Sequence, residues 1–360
     1  MGSLRGRTDE LSFLLPGDLR TRTGGYIYDR NIVDGLRRIG WEVDVCSLDS
    51  TFPYPTAKAL SDANDILKSI PTGRIVVIDG LALAALPALL RPEAVRLRLV
   101  ALIHHPLAME TGLDEETVRL LKHSERDALN LVRRVIVTSR WTSRILADSD
   151  YDVSADSIVV VEPGVDVSPK VRTLFDTGDG ALNLICVGTL TARKGHAVLF
   201  EALSRLPDKN WKLRCIGSVQ RDPVTAEALS EQIRSLGLGD RIELLGEVDD
   251  VALQQEYERA DVFVLASYLE GYGMALAEAA AHGLPIISTS AGAIPENAWS
   301  KAALLVAPGN IEALAEAIAR LHDDAALRQQ LATNALAARN ELPGWTASSQ
   351  SFAAALEDLL

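Results

Sequence analysis

Two glutamates, Glu270 and Glu278 in the run EGYGMALAE, carry the most chemical information in this chain of 360 residues. The run follows the apolar stretch DVFVLAS, and the pattern predicts a strand, a glycine-containing turn and a helix starting near Gly273. A helix that begins where a strand ends presents unpaired backbone N–H groups and the positive end of its dipole, which together make an anion site. Glu270 falls in the turn and Glu278 about one and a half turns inside the helix, so the two carboxylates sit at different depths. One can reach hydroxyls beside the anion, the other hydroxyls further along the same ligand. The same spacing also suits a solvated helix glutamate behind an ordinary glycine turn.

Other residues have chemistry of the same kind. Arg193 and Lys194, in TARKG, follow an apolar run and open a helical stretch. Cations are unfavourable at a helix N-terminus unless an anion is bound there, so the pair reads as a phosphate-neutralising site, Arg as a bidentate donor and Lys as a point charge. Gly24 and Gly25 follow the first apolar run, where a turn without side chains lets backbone approach a phosphate or sugar closely. No G-x-G-x-x-G follows any strand, so this is not the dinucleotide fingerprint. His104 and His105 end the run RLVALI. Adjacent residues point in different directions, so one of the two at most faces a reacting centre. Ser139 and Arg140 open a helix after VIVT, Ser139 reading as its N-cap. His123, His196, His282 and His322 have no Cys, His or Asp partner at ligand spacing, and the sequence predicts no metal site.

These residues need a scaffold, and the chain supplies one by alternation. Apolar runs at 11–15, 42–46, 74–78, 98–103, 133–138 and 157–161 are mostly followed by helical periodicity, a βαβ series that implies a parallel sheet. Residues 163–180 break the rhythm with Pro163, Gly164, Pro169, Gly178 and Gly180, which reads as a linker. The alternation restarts with runs at 182–187, 211–216, 241–245, 261–265, 284–288 and 303–306. The expected fold is α/β, with two tandem Rossmann-like domains facing across a cleft: residues 1–168, residues 169–342, and a helix over 343–360 that can cross back to the first domain. Ligands are expected at the carboxyl ends of the strands and between the domains.

Composition narrows the partners. With 48% hydrophobic and 24% charged residues the chain is an ordinary globular protein. A net charge of −13 opposes the phosphate attraction that nucleic-acid binders depend on. The charge is uneven, −3 through Lys170 and −10 beyond it, so the first domain is the better candidate for peripheral contact with an anionic membrane. No apolar stretch is long enough for a membrane span and the N-terminus is too polar for a signal peptide. Cys46, Cys186 and Cys215 are too few and scattered for a disulfide framework or thiolate cage, and a cytoplasmic location is expected.

The motifs, taken in order, resemble the retaining glycosyltransferases of family four, which adopt the GT-B fold. The resemblance rests on GGYIYDRNIVDGLRRIGWEVDV, VALIHH, VIVTSRWTSRIL, VVEPGVD, ICVGTLTARKGHAVLFEAL and the stretch 260–296, and it covers nearly the whole chain. It implies a nucleoside diphosphate sugar, UDP- or GDP-linked, as donor, with no bound cofactor. Glu270 would lie near the transferred sugar and Glu278 would bind the nucleotide ribose, while Gly271, Tyr272, Gly273 and Met274 offer backbone donors to the sugar and diphosphate. Gly24 and Gly25 would close over the diphosphate, His104 would stand beside the sugar, and Glu247 would lie where relatives hold the base. Many relatives carry an arginine where this sequence has Thr189, and Arg193 is the candidate replacement. Front-face attack, in which the leaving phosphate helps deprotonate the acceptor, explains the lack of an evident nucleophile and base pair. The acceptor stays open between a glycan, a small molecule and a lipid. A nucleotide-sugar epimerase on the same architecture and a non-catalytic sugar or nucleotide sensor are the competing readings.

Overall fold

Runs of β-branched and aliphatic residues with no polar alternation suit strands covered on both faces, and in the computed structural model, which describes residues 9–148, 150–166 and 180–360, they form two parallel sheets together with the alternating runs EVDVCSL and WKLRCI, whose polar residues are partly exposed. Six strands, β1 (Glu10–Pro16), β2 (Glu42–Leu48), β3 (Ile75–Asp79), β4 (Arg98–Ile103), β5 (Arg134–Val137) and β6 (Ile158–Val160), make the first. They lie in the order β2-β1-β3-β4-β5-β6. The second comprises β7 (Leu182–Val187), β8 (Trp211–Ile216), β9 (Ile242–Gly246), β10 (Val262–Leu265), β11 (Ile286–Thr289) and β12 (Ala303–Val306), ordered β12-β11-β10-β7-β8-β9. All twelve predicted strands are present, displaced by at most two residues at an end.

Each sheet reverses its winding once, between β1 and β3 in the first and between β7 and β10 in the second. At such a point the chain leaves neighbouring strands in opposite directions and opens a crevice beyond their carboxyl ends. In the first sheet β1 runs beside β3 with Leu11 opposite Ile75; in the second, Leu184 of β7 lies opposite Val262 of β10. Each sheet has its own apolar core, with Leu14, Val76, Ile78, Leu99 and Val135 buried in the first and Leu184, Phe200, Leu213, Phe263 and Ile287 in the second.

By internal contacts the chain divides into two units. One contains Met1–Thr21, Gly25–Gly164 and Trp345–Leu360, the other Arg22–Gly24 and Val165–Gly344. The helix Trp345–Ala354 thus packs within the first unit, where the Trp345 ring lies edge-on to Tyr28 at 6.1 Å and Phe352 is fully buried. Most of the predicted linker at 163–180, and with it the boundary expected between 168 and 169, lies outside the described residues.

Candidate functional site

In the second unit the loops that follow β7 and β10 are laced together at the switch point. After β7 the chain makes a tight turn, Ala192–Lys194, and then Gly195 at φ 68° before the helix His196–Ser204. A Cβ on Gly195 would stand 2.0 Å from the Ala266 carbonyl oxygen, so only glycine allows this approach between the two loops. The Arg193 carbonyl accepts the Tyr268 N–H at 2.8 Å, and Arg193 Nη1 donates to the Leu269 carbonyl at 2.8 Å.

That lacing delivers Lys194 to Glu270. Lys194 Nζ donates to Glu270 Oε1 at 2.7 Å, and Ser267 Oγ donates to the same oxygen at 2.6 Å. Arg193 Nη1 is 3.9 Å from Glu270 Oε2. Burial raises the Glu270 carboxyl, but the Lys194 and Arg193 charges outweigh it and hold the group below its ordinary value. Burial also keeps Lys194 below the usual lysine range despite its partner. With Oε1 fixed by two donors, the carboxylate is held in one orientation, and the cations beside it suit an incoming anion.

Beyond Glu270 the chain turns through Gly271 and Tyr272, which are buried, and Asn297 Nδ2 fixes the turn by donating to the Tyr272 carbonyl at 2.8 Å. Gly273 then precedes the helix Met274–Ala281, whose N-terminus has no side-chain cap. First-turn N–H groups left uncapped are the donors that an anion uses. Glu278 accepts from Tyr257 Oη at 2.9 Å. Burial, with smaller contributions from Asp166 and Asp250, pushes the Glu278 carboxyl up to about 7 although the Tyr257 bond acts the other way. Glu247 follows β9, is exposed, and stands two strands from β7. Gly24 is the first residue of the helix Gly24–Arg38.

In the first unit His104 follows β4 at the carboxyl end of the sheet. Its Nε2 is 3.1 Å from Asp29 Oδ1 and 3.4 Å from Asp79 Oδ2. Gly25 lies against the ring, where a Cβ would stand 3.3 Å from His104 Cδ2. Burial pulls the imidazole down, but the two carboxylates outweigh it and push it up to about 10. Asp29 moves up to about 6, burial being the largest cause and His104 the main opposition. His105 turns away, its Nε2 3.5 Å from Glu110 Oε2. Ser139 caps the helix Arg140–Ala147 by accepting the Thr142 N–H at 3.1 Å.

The sequence reading missed Asp29, Asp79, Ser267 and Tyr257. A signal existed for two of them. Asp79 ends the apolar run IVVID, and Asp29 interrupts the buried stripe of Tyr28, Ile32, Val33 and Leu36, where a carboxylate needs a partner. Ser267 and Tyr257 had none, because serine in a turn and tyrosine on a helix are ordinary residues.

One expectation needs correction. Along the sequence His196 has no Cys, His or Asp partner at ligand spacing and the cysteines are too scattered for a thiolate cage; in the fold Cys186, His196 and Cys215 are all buried, with ligand atoms within 4.8 Å of one another. Cys186 and Cys215 are register neighbours on β7 and β8, and His196 Nε2 is 3.6 Å from Cys186 Sγ. Strand pairing joins residues 29 positions apart, which a search for short ligand spacings does not register. Asp29, Asp79 and His104 form a second cluster of this kind.

With this geometry in place, comparison with known proteins shows two family matches, "Glycosyl transferases group 1" over residues 176–337 and "Glycosyltransferase Family 4" over 24–169. The lipopolysaccharide core biosynthesis mannosyltransferase LpcC of Rhizobium leguminosarum is 30% identical over 269 residues, covering 68% of this chain and 74% of that protein. The D-inositol 3-phosphate glycosyltransferase of Corynebacterium diphtheriae is 29% identical over 201 residues, 52% of this chain and 47% of that protein. The match to the MMP alpha-(1->4)-mannosyltransferase of Mycolicibacterium hassiacum, at 25% identity over 72% of this chain, spans 65% of the relative. The chain therefore spans about half to two thirds of the length of these last two relatives. Among solved structures, sucrose-phosphate synthase from Thermosynechococcus elongatus superposes with a TM-score of 0.79 at 20% identity, over 98% of this chain and 99% of the other. HepE from Anabaena in complex with UDP-glucose superposes at 0.76 with 18% identity, over 97% and 99%. At these identities the likeness concerns the fold, which is GT-B.

Proposed function

The chain belongs to glycosyltransferase family four, and on that premise we propose that it transfers a hexose, with retention, from a nucleoside diphosphate sugar to an acceptor hydroxyl. The observation that carries the reading is the Lys194–Glu270 pair, set beside the uncapped N-terminus of the helix Met274–Ala281. A leaving nucleoside diphosphate develops negative charge, and fixed cations and aligned N–H groups stabilise it most where they need no reorganisation.

In this reading Lys194 and Arg193 neutralise the diphosphate, and Met274 and the turn Gly271, Tyr272 and Gly273 donate backbone N–H groups to phosphate and sugar. Glu270 orients the sugar hydroxyls and does not attack the anomeric carbon; its Oε1 is held by two donors. Glu278 binds the ribose and Glu247 lies at the base. Gly24 and Gly25 give room for the donor phosphates, and His104 donates to the transferred sugar. The acceptor is deprotonated by the leaving phosphate oxygen, so no separate base is required. UDP and GDP are the expected carriers: HepE was solved with UDP-glucose, and LpcC is described as a mannosyltransferase. The fixed cations can take the role of a divalent metal at the phosphates. Among the described residues no helix is long and apolar enough to cross a membrane, so a lipid acceptor would be met by peripheral contact at the cytoplasmic face.

The test is thermal unfolding against UDP, GDP and ADP sugars, with and without magnesium, followed by an acceptor screen with the donor that binds. A ligand selective for the native state raises stability by about 2.7 kcal/mol at one hundred times its Kd. A metal-independent shift with one nucleotide, and an axial product from an axial donor, support the reading. An isomerised donor without acceptor would make the chain an epimerase, and binding without turnover a sensor; either overturns the proposal.

A further inference from the structure

The cluster around His104 specifies how that residue works. Its Nε2 faces two carboxylates at once, Asp29 from the helix Gly24–Arg38 and Asp79 from the end of β3. Asp29 is 2% and Asp79 3% exposed, so water does not solvate them, whereas the imidazole side chain keeps 21% of its surface. Two buried carboxylates on one ring nitrogen place a proton on that nitrogen, and their negative charge favours a second proton at Nδ1, which makes the ring cationic. Asp79 is fixed independently, because its Oδ1 accepts the Leu81 N–H at 2.9 Å and leaves Oδ2 towards His104. Among the described residues Tyr28 is a further titratable group against the ring, its own ring edge-on at 5.3 Å; Gly25 covers another side without a charge.

We propose that Asp29 and Asp79 are positioning residues that hold His104 as an imidazolium with Nε2–H committed to them, so that His104 meets its substrate as a hydrogen-bond donor through Nδ1–H and never as a general base. A doubly protonated imidazole has no lone pair to accept a proton. The substrate atom it recognises is therefore an oxygen with lone pairs, of a sugar hydroxyl or a phosphate. This deepens the reading above and rests on it for the identity of that oxygen; the charge state of the ring follows from the two buried carboxylates at its Nε2 and does not depend on that reading.

The experiment is histidine-selective 15N and 13C NMR of the whole chain from pH 6 to 9.5, with His104→Gln to assign the signal and Asp29→Asn and Asp79→Asn as the variants. Asparagine is isosteric and keeps the cap at position 79, and two separate carboxylates provide a second variant if one fails to fold. The expected result is a His104 imidazolium through pH 8.5 in the native chain and a titration lowered by at least one pH unit in each variant. In the transfer assay each variant should lose kcat as pH rises through the lowered value, with the donor KM changed less than threefold. A His104 that titrates near 6.5 in the native chain, or one that ignores both substitutions, overturns the proposal. So does line broadening of His104 by micromolar Mn2+, which would make the cluster a cation site. An inactive native chain with a persistent imidazolium would sink the transferase reading and leave this one standing.

Discussion

Lys194 and Glu270 are 76 residues apart in sequence and 2.7 Å apart at their charged atoms, because β7 and β10 are neighbours although two strand-helix units separate them along the chain. Their side chains are 15% and 7% exposed, so each charge depends on the other. The pair is a device for storing a fixed electrostatic field at the switch point of a parallel sheet, which is where the fold opens a crevice.

Removing one partner should therefore cost more than removing both. Lys194→Met leaves a buried carboxylate against Arg193 and Ser267 and is expected to destabilise the chain by roughly 3 kcal/mol. Lys194→Met combined with Glu270→Gln should recover at least half of that. Urea denaturation of the two variants decides it, and a double variant no more stable than the single would mean that the pair is not coupled.

Glu270→Ala should abolish transfer, a loss of roughly 100-fold or more in kcat, with the fold retained by circular dichroism. Normal turnover in this variant would remove Glu270 from the assigned role.

Glu278 predicts an opposition between stability and binding. Its folded-state pKa, about 7, is above the ordinary 4.5. Stability from the protonated form is thus fully present below 4.5 and is lost as pH rises through about 7. Glu278→Gln, which keeps an acceptor for Tyr257, should remove this loss and exceed the native chain at pH 8 by on the order of 1–2 kcal/mol. Nucleotide affinity should fall by roughly tenfold in the same variant. Melting curves at pH 5 and 8 with and without nucleotide measure both, and equal pH dependence in the two proteins would refute the account.

Gly195→Ala tests the lacing of the loops. The residue has φ 68° and an added Cβ would lie 2.0 Å from a backbone oxygen that cannot yield as a side-chain end can. We expect a loss of roughly 2–4 kcal/mol and loss of the nucleotide-induced melting shift, since Lys194 precedes this glycine. A variant that binds nucleotide normally would show that the loop approach is not needed.

Thiol accessibility provides a test independent of activity. Cys186 and Cys215 are fully buried while Cys46 is half-buried. The Cys215 thiol and His196 lower Cys186 and the same pairing raises Cys215, but burial denies both to a reagent. A disulfide reagent should label Cys46 first and the other two only on unfolding. Early labelling of Cys186 would show that the β7–β8 region opens in the native state.

How much of this could be read from the sequence differs by kind of feature. Strand positions such as RIVVI and DVFVL were legible because a doubly covered strand is mostly apolar, and the glycine at 273 was legible because few other residues turn the chain so tightly, whereas the role of Gly195 emerged only from the loop that packs on it. His104 and Glu270 stood out by ending or following such strands. Their partners did not, because Asp29, Asp79, Ser267 and Tyr257 are brought in from other elements. The Cys186–His196–Cys215 cluster was misread for the same reason, as strand register places 186 opposite 215.

By itself, then, the sequence determined the alternation of strands and helices, the family, and those residues that a local rule of burial or turn geometry marks out, since such rules act over a few neighbours. Only the tertiary structure decided which charge faces which. Sheet order sets Lys194 on Glu270 and two aspartates on His104, and burial at those contacts then fixes the protonation states. Pairing and desolvation belong to the folded arrangement, and no stretch of chain carries them alone.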